Sequence, residues 1–530
     1  MNKIEALKTE RDGLDVREAI ARYAREGWEA ITEDDVQRLK WYGIFLRNPT
    51  PGYFMIRVRI PNGHTSSYQI RVLAEIAKTY GNSLLDLTTR QQIQLRRIKI
   101  ESVPAIFEQL DAVGLTSMQT GMDNIRNVMG CPVAGLNPNE ILDATPLVKA
   151  FTDHFVGNRE FTNLPRKFNV AITGCPENCL HTETQDLALI PAVREVDGKK
   201  DAGFNVLAGG KLGSGGYRIA SPLDVFVRPD EAVEVCAAIV LLYRDHGIRG
   251  EFRTNNRLAF LLDEWGEARF RAALEERLKR VLTPAGTDAR KSGANDHAGI
   301  LRQKQPGLNY VGLKVAVGRI SAEALLKVAT LAERYGTGEI RISPAQTLII
   351  PNVPDRRLSA LLDEPLLKDL PYNASEVFKG LVSCVGNDYC NLAVIETKSR
   401  ALETAKYLEQ KLVSVKPITM HWSGCPAGCG NHAVADVGLL GKRVKVNGEV
   451  VDAVDIFVGG RSGPGAKHAV KIMEDVPCDK LVSVLEGLVP YHTRDKLHRT
   501  VKGKSAVKQP QAPKAAVPAL SPQNRDLKNR

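Results

Sequence analysis

The sequence contains no uninterrupted apolar run that approaches the ~20 residues needed to cross a bilayer. Residues 1–5 also lack the apolar core of a secretory signal and begin a charged helical pattern instead. These absences predict a cytoplasmic protein with no membrane partner. Because that compartment is reducing, we do not expect disulfides among the nine cysteines.

Nucleotide-binding motifs are missing as well. No G-x-G-x-x-G follows a strand pattern, and no G-x-x-x-x-G-K-[ST] is present. The chain is therefore predicted to contain neither a dinucleotide-binding fold nor a nucleotide-phosphate loop. We interpret the glycine-rich stretch 209–216 as turns that approach a cofactor or the backbone of a partner.

Positive charge is concentrated near the C-terminal end. The net charge is +11, and residues 501–530 contribute seven basic side chains against one acidic side chain, which leaves +5 for the rest. Residues 503–530 are rich in Pro, Ala, Gln and Ser, and this composition predicts a disordered basic tail. The tail has no aromatic residue for base stacking, and the cysteines are not spaced as zinc fingers, so we expect no nucleic-acid partner.

The sequence repeats itself at two nearly equal offsets, 255 and 250 residues. The aligned pairs are Pro51-Gly52 with Pro306-Gly307, Tyr80-Gly81 with Tyr335-Gly336, Gln91 with Gln346, Cys175 and Cys179 with Cys425 and Cys429, Asp186 with Asp436, and 209–213 with 459–463. These anchors indicate a two-fold repeat of a small α/β module followed by a larger one. In the first small module, the pattern predicts a strand over 54–60, a helix over 71–80 and a strand over 94–100.

Four cysteines of the second copy form two close pairs, Cys384 with Cys390 and Cys425 with Cys429. Thiolates are the ligands that soft metals and iron–sulfur clusters select, and two loops with one pair each can surround a compact inorganic core. The five-residue gap before Cys390 is wider than the usual zinc knuckle, which favours an iron–sulfur cluster. A structural zinc and four plainly buried thiols stay as alternatives.

The first copy has a different chemistry. It contains Cys175 and Cys179 but only Cys131 upstream, so it cannot build the same four-thiolate site. We interpret Cys175 and Cys179 as relics, with a second redox or metal role as the alternative.

Cationic and polar residues are prominent in the first copy instead, at Arg57, Arg90, Arg126, Lys167 and Asn169. Offset 255 places Gly and Ala opposite Arg57 and Arg90, so the fold itself does not require these arginines. Each cation alone is typical of a solvated surface. Together, opposite a cysteine-bearing copy, they predict an anion site.

In this combination the chain resembles the sirohaem-dependent nitrite and sulfite reductases, over roughly residues 40–500. The resemblance rests on the duplication, the C-x5-C and C-x3-C pairs, and three segments: Thr88-Thr89-Arg90-Gln91, Arg126-Asn127 after Asp123-Asn124, and Leu164-Pro165-Arg166-Lys167-x-Asn169. Within that family the chain is most similar to the ferredoxin-dependent assimilatory nitrite reductases of the cyanobacterial and plant type.

The resemblance implies specific cofactors and site residues. A [4Fe–4S] cluster would be held by Cys384, Cys390, Cys425 and Cys429, with the Cys429 thiolate also bridging to the iron of a sirohaem. The sirohaem carboxylates would pair with Arg90, Gln94, Arg96 and Arg166. Substrate would be bound by Arg57, Arg126, Lys167 and Asn169, with Lys167 as the general acid.

The resemblance also implies an oxidoreductase that takes electrons from reduced ferredoxin and reduces nitrite to ammonia, by six electrons, in nitrate assimilation. Sulfite reductases of the family tend to have lysine at the position of Asn169. Nitrite is a monoanion and sulfite is close to a dianion, so one cation fewer suits nitrite. The alternatives are an assimilatory sulfite reductase with the same cofactors and, in another class, a non-catalytic cluster-binding electron-transfer protein.

The fold implied is α+β, a pseudo-two-fold duplicated chain in which two ferredoxin-like half-domains pair into one unit beside two larger mixed α/β domains that bind the sirohaem and the cluster. The expected order is an N-terminal helical arm (1–46), half-domain (47–117), anion and sirohaem domain (118–295), second half-domain (300–371), iron–sulfur and sirohaem domain (372–502), and tail (503–530). We expect a monomer.

Overall fold

The computed structural model describes residues 2–213, 215–292, 295–412 and 415–501. The tail predicted to be disordered, 503–530, lies outside these residues. In the described part of the chain, no helix is long and apolar enough to cross a membrane.

The helices occur in both copies and in the N-terminal arm. They are α1 (Lys3–Glu10), α2 (Arg17–Glu26), α3 (Glu33–Arg38), α4 (Ser67–Tyr80), α5 (Val103–Ala112), α6 (Thr145–Phe155), α7 (Ala232–His246), α8 (Leu258–Leu278), α9 (Ala322–Tyr335), α10 (Asp355–Leu362), α11 (Leu366–Asp369), α12 (Glu376–Lys379), α13 (Lys398–Lys411) and α14 (Leu481–Val501).

The strands form four sheets. They are β1 (Ile44–Leu46), β2 (Phe54–Val58), β3 (His64–Ser66), β4 (Leu84–Leu87), β5 (Ile93–Ile98), β6 (Ile125–Gly130), β7 (Phe168–Ile172), β8 (Leu187–Val196), β9 (Lys199–Ala208), β10 (Ser221–Val227), β11 (Thr287–Asp288), β12 (Gly299–Arg302), β13 (Leu308–Lys314), β14 (Arg319–Ser321), β15 (Glu339–Ile342), β16 (Thr347–Pro354), β17 (Leu381–Ser383), β18 (Met420–Ser423), β19 (Val437–Val446), β20 (Glu449–Val458) and β21 (Val470–Pro477).

The two small modules exchange an edge strand. The first has the order β1-β2-β5-β4-β14, and the second has the order β12-β13-β16-β15-β3. Strand β14 belongs to the second copy and β3 to the first, and both pair antiparallel with their hosts. Buried apolar residues of both modules form one continuous core. The two half-domains are thus one pseudo-symmetric unit, and the expected α+β duplicated fold is confirmed.

The repeated glutamines lie where the copies meet. Gln91 Nε2 donates to the Ile342 carbonyl oxygen of the second copy at 3.0 Å, and Gln346 Nε2 donates to the Leu87 carbonyl oxygen of the first at 3.1 Å. Both side chains are buried. Because a buried amide must find partners, the reciprocal bonds explain why each copy has glutamine at this position.

The two larger modules share one sheet order. Strands β6, β7 and β8 run parallel to one another, and antiparallel β9 and β10 extend that sheet. Strands β17, β18 and β19 are also parallel, with β20 and β21 antiparallel. In each sheet, loops containing cysteine follow the first two strands. The carboxyl ends of neighbouring parallel strands lie at one sheet edge, so the topology gathers these loops.

The local predictions for the first module are close to the structure. The helix begins earlier than expected, at Ser67, because Ser66 and Gln69 form a capping box. The strands end at Val58 and Ile98 rather than at 60 and 100. The sequence pattern missed β4, which has only four residues and alternates too briefly to be recognised.

Candidate functional site

The four cysteines of the second copy lie on two loops at one sheet edge. Cys384 directly follows β17, and Cys425 and Cys429 follow β18. The thiols of Cys429, Cys390 and Cys384 each raise the pKa of the Cys425 thiol, so the four thiols lie near one another. The two pairs found in the sequence therefore belong to one site.

Backbone amides already point at two of these sulfurs. The Gly424 N–H donates to Cys384 Sγ at 3.2 Å, and the Leu392 N–H donates to Cys390 Sγ at 3.4 Å. Burial raises the pKa of the Cys384 thiol and raises that of Cys425 to about 12. Such thiols ionise when a soft metal takes the place of the proton, and amide donors then stabilise the thiolate.

Cys429 has a different environment from its neighbours. It is the exposed member of the four, whereas the other three are half-buried. Its carbonyl oxygen accepts a hydrogen bond from Thr89 Oγ1 of the first copy at 3.0 Å. The Thr-Thr-Arg-Gln turn of one copy thus directly contacts the cysteine loop of the other.

Cations of the first copy surround the Cys429 sulfur. Arg57, Arg90 and Lys167 each interact electrostatically with it. Arg57 Nη1 and Arg126 Nη1 both donate to the Thr120 carbonyl oxygen, at 3.0 and 2.7 Å, which holds two guanidinium groups side by side. Three of the predicted cations therefore lie near one exposed thiol, and the fourth, Arg126, lies beside Arg57.

The side chains of Arg57 and Lys167 are only half-exposed, and their pKa values are lowered. Loss of hydration, followed by Arg47 and Arg90, lowers the pKa of Arg57. Loss of hydration, followed by Arg257 and Arg90, lowers the pKa of Lys167 well below its usual value. A half-buried cluster of like charges is costly by itself, so the arrangement suits an anionic ligand.

The carboxylates nearby do not balance this charge. Buried Asp123 is shared by Arg253, Lys8 and Arg166, whose nitrogens lie 2.6, 3.3 and 3.6 Å from its oxygens. Helix α1 contributes Lys8, so the N-terminal arm supports the site directly. Lys8 also pairs with Glu5 Oε1 at 2.6 Å, so these three cations share two carboxylates and the region keeps a net positive charge.

Several buried polar atoms in this cationic region have no hydrogen-bond partner among the described residues. They are Arg47 Nε, Arg96 Nη1, Arg126 Nε and Asn169 Oδ1. Buried polar atoms in native proteins normally have partners, so atoms without them indicate a missing ligand. The excess of donors and positive charge fits a group with many carboxylates, such as a sirohaem.

The residues predicted to bind sirohaem differ in how strongly they are already paired. Arg96 is buried and donates to Asp86 Oδ2 at 2.6 Å and to Gln94 Oε1 at 2.5 Å. Arg166 is half-exposed and has a longer contact with Asp123. Among the described residues, the Arg90 guanidinium donates no hydrogen bond, and it lies near Cys429. Arg90 and Arg166 are thus freer than Gln94 and Arg96 to receive a ligand.

Arg59 has a structural role. It directly follows β2, which ends at Val58. Its guanidinium is buried and donates to backbone carbonyl oxygens that include those of Gln119, Ile125 and Arg126, at 3.0, 3.1 and 2.8 Å. It therefore holds the loop that positions Arg126.

Sequence reasoning missed Arg47. Its pKa is lowered by burial and then by Arg96, and it interacts with both Cys390 and Cys429. Its guanidinium also lies 5.4 Å from the ring centre of Phe45. Divergence between the copies identified Arg57 and Arg90, but offset 255 aligns Arg47 with Arg302. An arginine present in both copies leaves no such signal.

The glycines beside Cys429 serve protein packing. A Cβ on Gly430 would lie 2.0 Å from the Trp422 carbonyl oxygen, and Gly428 has a φ of +67°. A Cβ on Gly213 would lie 2.5 Å from the Ala427 carbonyl oxygen. Gly213 of the first copy therefore packs against the cysteine loop of the second copy, whereas the approach of stretch 209–216 to a cofactor or to a partner stays a prediction.

A cavity lies at the equivalent place in the repeat. Its volume is about 790 Å³, and its lining includes Cys179, Ala345 and Thr419. By the two offsets these residues match Cys429, Arg90 and Asn169. The Cys429 site and this cavity are thus related by the duplication, and the Cys429 site is the one that combines the exposed cysteine with the first-copy cations.

Comparison with known proteins shows what the chain is similar to. The family model described as the nitrite and sulphite reductase 4Fe-4S domain matches residues 121–282, and the nitrite/sulfite reductase ferredoxin-like half domain matches 47–113 and 301–367. The ferredoxin–nitrite reductase of Synechococcus elongatus is 45% identical over 92% of this chain and 96% of its own length.

Two further matches also cover most of the chain. The assimilatory ferredoxin-dependent nitrite reductase of Haloferax mediterranei is 40% identical over 92% of this chain and 88% of its own length. The solved structure of the NirA protein of Mycobacterium tuberculosis superposes with a TM-score of 0.87 at 32% identity and covers 94% of each chain. The match therefore extends through both copies.

Proposed function

Because this chain belongs to the nitrite and sulphite reductase family, we propose that it is a ferredoxin–nitrite reductase that converts nitrite to ammonium with six electrons. The observation that carries the proposal is the meeting of the exposed Cys429 thiol with Arg57, Arg90 and Lys167 of the other copy. Relatives named for this activity share about two-fifths or more of their residues with the chain.

Cys384, Cys390, Cys425 and Cys429 would hold a [4Fe–4S] cluster. Their convergence and the amide donors on Cys384 and Cys390 support this assignment. Arg90 and Arg166 would bind carboxylates of a sirohaem most directly, with Gln94 and Arg96 behind them and Arg47 as an added donor. The two groups together would supply single electrons to the substrate.

Arg57 and Arg126 would bind the nitrite anion. Both guanidinium groups share the Thr120 carbonyl oxygen, so their spacing is set before a ligand arrives. Asn169 adds a neutral donor and acceptor, and its backbone N–H is fixed by Asp186 Oδ2 at 2.7 Å. Preorganised charge of this kind stabilises an anion without reorganisation cost during the reaction.

Lys167 would supply protons. Conversion of nitrite to ammonium takes up six electrons and eight protons and releases two waters, so proton delivery is as necessary as electron delivery. Arginine does not release its proton, whereas a lysine with a lowered pKa does. Burial and the adjacent arginines lower the pKa of Lys167, which supports its assignment as general acid.

Reduced ferredoxin would be the electron donor, and it is a separate molecule. The chain encodes no recognised nucleotide-binding motif that would replace it. Ferredoxins are small and acidic, so a basic partner attracts them electrostatically. Sulfite reduction with the same cofactors is the second candidate, and the neutral Asn169 in place of a lysine favours nitrite.

The visible spectrum and steady-state kinetics of the purified protein test the proposal. We expect sirohaem absorption that shifts on nitrite addition, and a kcat/KM for nitrite above that for sulfite. A protein without sirohaem absorption, or one that prefers sulfite, would contradict it. The cytoplasmic location, the monomeric state and the domain boundaries 1–46, 47–117, 118–295, 300–371 and 372–502 stay predictions, which fractionation, gel filtration and limited proteolysis can test.

A further inference from the structure

A compact group of metal-ligating atoms lies in the first copy, away from the four cysteines of the second. The sulfurs of Cys131 and Cys179 and a ring nitrogen of His297 all lie within 4.8 Å of one another. All three residues are buried. In the described part of the chain, this is the single group of three or more His, Cys, Asp or Glu ligand atoms that is so close.

The duplication accounts for the positions of the two cysteines in this group. Cys131 directly follows β6, as Cys384 follows β17, and Cys175 and Cys179 follow β7, as Cys425 and Cys429 follow β18. The first copy therefore keeps three of the four thiol positions. The equivalent of Cys390 is missing, and His297 enters from the segment that connects the copies.

Cys175 lies beside this group, although its sulfur is outside the 4.8 Å set. The Cys175 and Cys179 thiols both lie near enough to Cys131 to shift the pKa of its thiol. Cys175 Sγ also accepts a hydrogen bond from Asn137 Nδ2 at 3.2 Å, which would stabilise it as a thiolate. All three cysteines are free thiols, so none of the sulfurs is used in a disulfide.

The spacing of these atoms discriminates between a single ion and a cluster. Zinc–sulfur bonds of about 2.3 Å in a tetrahedron place neighbouring ligand atoms roughly 4 Å apart. Cys131 Sγ and His297 Nε2 are 4.0 Å apart. In a [4Fe–4S] cluster each thiolate binds a different iron, so its ligand atoms must be spread more widely.

We propose that Cys131, Cys179 and His297 bind one zinc ion, that a side-chain rotation of Cys175 supplies the fourth ligand, and that the ion links the connection between the copies to the first large sheet. On binding, each of the three thiols would release a proton, and no electron would be transferred. His297 Nδ1 lies 3.3 Å from the Tyr310 hydroxyl, which orients the ring with Nε2 toward the thiols. Cys179 lines the 790 Å³ cavity, and that cavity provides an entry path for the ion.

This proposal replaces the interpretation of Cys175 and Cys179 as relics, and it does not depend on the nitrite chemistry. The first test is elemental analysis of the purified holoenzyme together with zinc K-edge X-ray absorption. Because the absorption edge is specific to zinc, iron cofactors do not interfere. We expect about one zinc per chain, with sulfur neighbours near 2.3 Å and one nitrogen near 2.0 Å.

Variants identify the ligands. Cys131→Ser and Cys179→Ser are expected to reduce the bound zinc about tenfold or more, because a serine hydroxyl is a much poorer zinc ligand. Cys236→Ser is the matched control, since Cys236 is also fully buried but lies in α7 outside both groups. It should keep the zinc content of the wild type.

Four outcomes would overturn the proposal. They are a wild-type protein without zinc, a site filled by iron, a disulfide among the three cysteines detected by mass spectrometry of the unreduced protein, and zinc retained in both ligand variants. If the ligand variants fail to fold, the zinc K-edge spectrum of the wild type still tests the proposal. Zinc with only oxygen neighbours would refute the site.

Discussion

Replacing Asn169 with lysine should shift the substrate preference from nitrite toward sulfite. The Asn169 side chain is buried and its Oδ1 has no hydrogen-bond partner among the described residues, so a longer cationic side chain there would add positive charge close to Lys167, two residues earlier. Sulfite near neutral pH has up to one negative charge more than nitrite. The added cation therefore attracts sulfite more strongly than nitrite.

Coulomb's law sets the size of this difference. One additional pair of unit charges about 5 Å apart, at an effective dielectric constant of about 20, is worth roughly 3 kcal/mol. Burial beside Lys167 and Arg257 would keep part of the new charge from forming, because like charges lower a lysine pKa. We therefore expect the ratio of kcat/KM for sulfite to kcat/KM for nitrite to rise about ten- to hundredfold.

The duplication offers a matched control. Thr419 occupies the position of Asn169 in the second copy, and its backbone N–H bonds to Asp436 Oδ2 at 2.8 Å, as that of Asn169 bonds to Asp186. Thr419 lines the other cavity. The assay is reduction of each anion by reduced ferredoxin, with both variants at one ionic strength. An unchanged ratio in Asn169→Lys, or an equal shift in Thr419→Lys, would refute the electrostatic argument.

Three further predictions follow from the same geometry. Lys167→Met should lower kcat for nitrite by about 10²–10⁴. Wild-type activity should decline as pH rises through the pKa of Lys167, which lies well below its usual value of 10.5, because the protonated form that donates the proton is lost. A decline that persists unchanged in the variant would contradict this role. Gly430→Ala should cost about 1–3 kcal/mol of unfolding free energy in denaturant titrations, because its Cβ would meet the Trp422 carbonyl oxygen. Gly448→Ala is the comparison, since a Cβ there has no neighbour within 4 Å, although its φ of +91° adds some strain. The KM for ferredoxin should rise with salt, while a KM independent of ionic strength would exclude electrostatic docking.

The sequence was most informative where the two copies could be compared with each other. Arg57 and Arg90 differ from their counterparts, Gly312 and Ala345, and this difference identified them as candidates for function. Arg47 aligns with Arg302, so the comparison of the two copies did not identify it. Arg59 also differs from its counterpart, Lys314, yet its role is structural. Its guanidinium makes five hydrogen bonds to backbone carbonyl oxygens, which the sequence pattern does not indicate.

The duplication, the paired cysteines of the second copy and the cationic first copy were determined by the sequence alone, because spacing and residue type are local properties. The tertiary structure decided which of them meet. The Thr89 bond to Cys429 joins residues that are 340 positions apart, and His297 approaches Cys131 across 166 positions. Such contacts depend on the exchanged edge strands and the shared core, and these arise only when distant segments pack together.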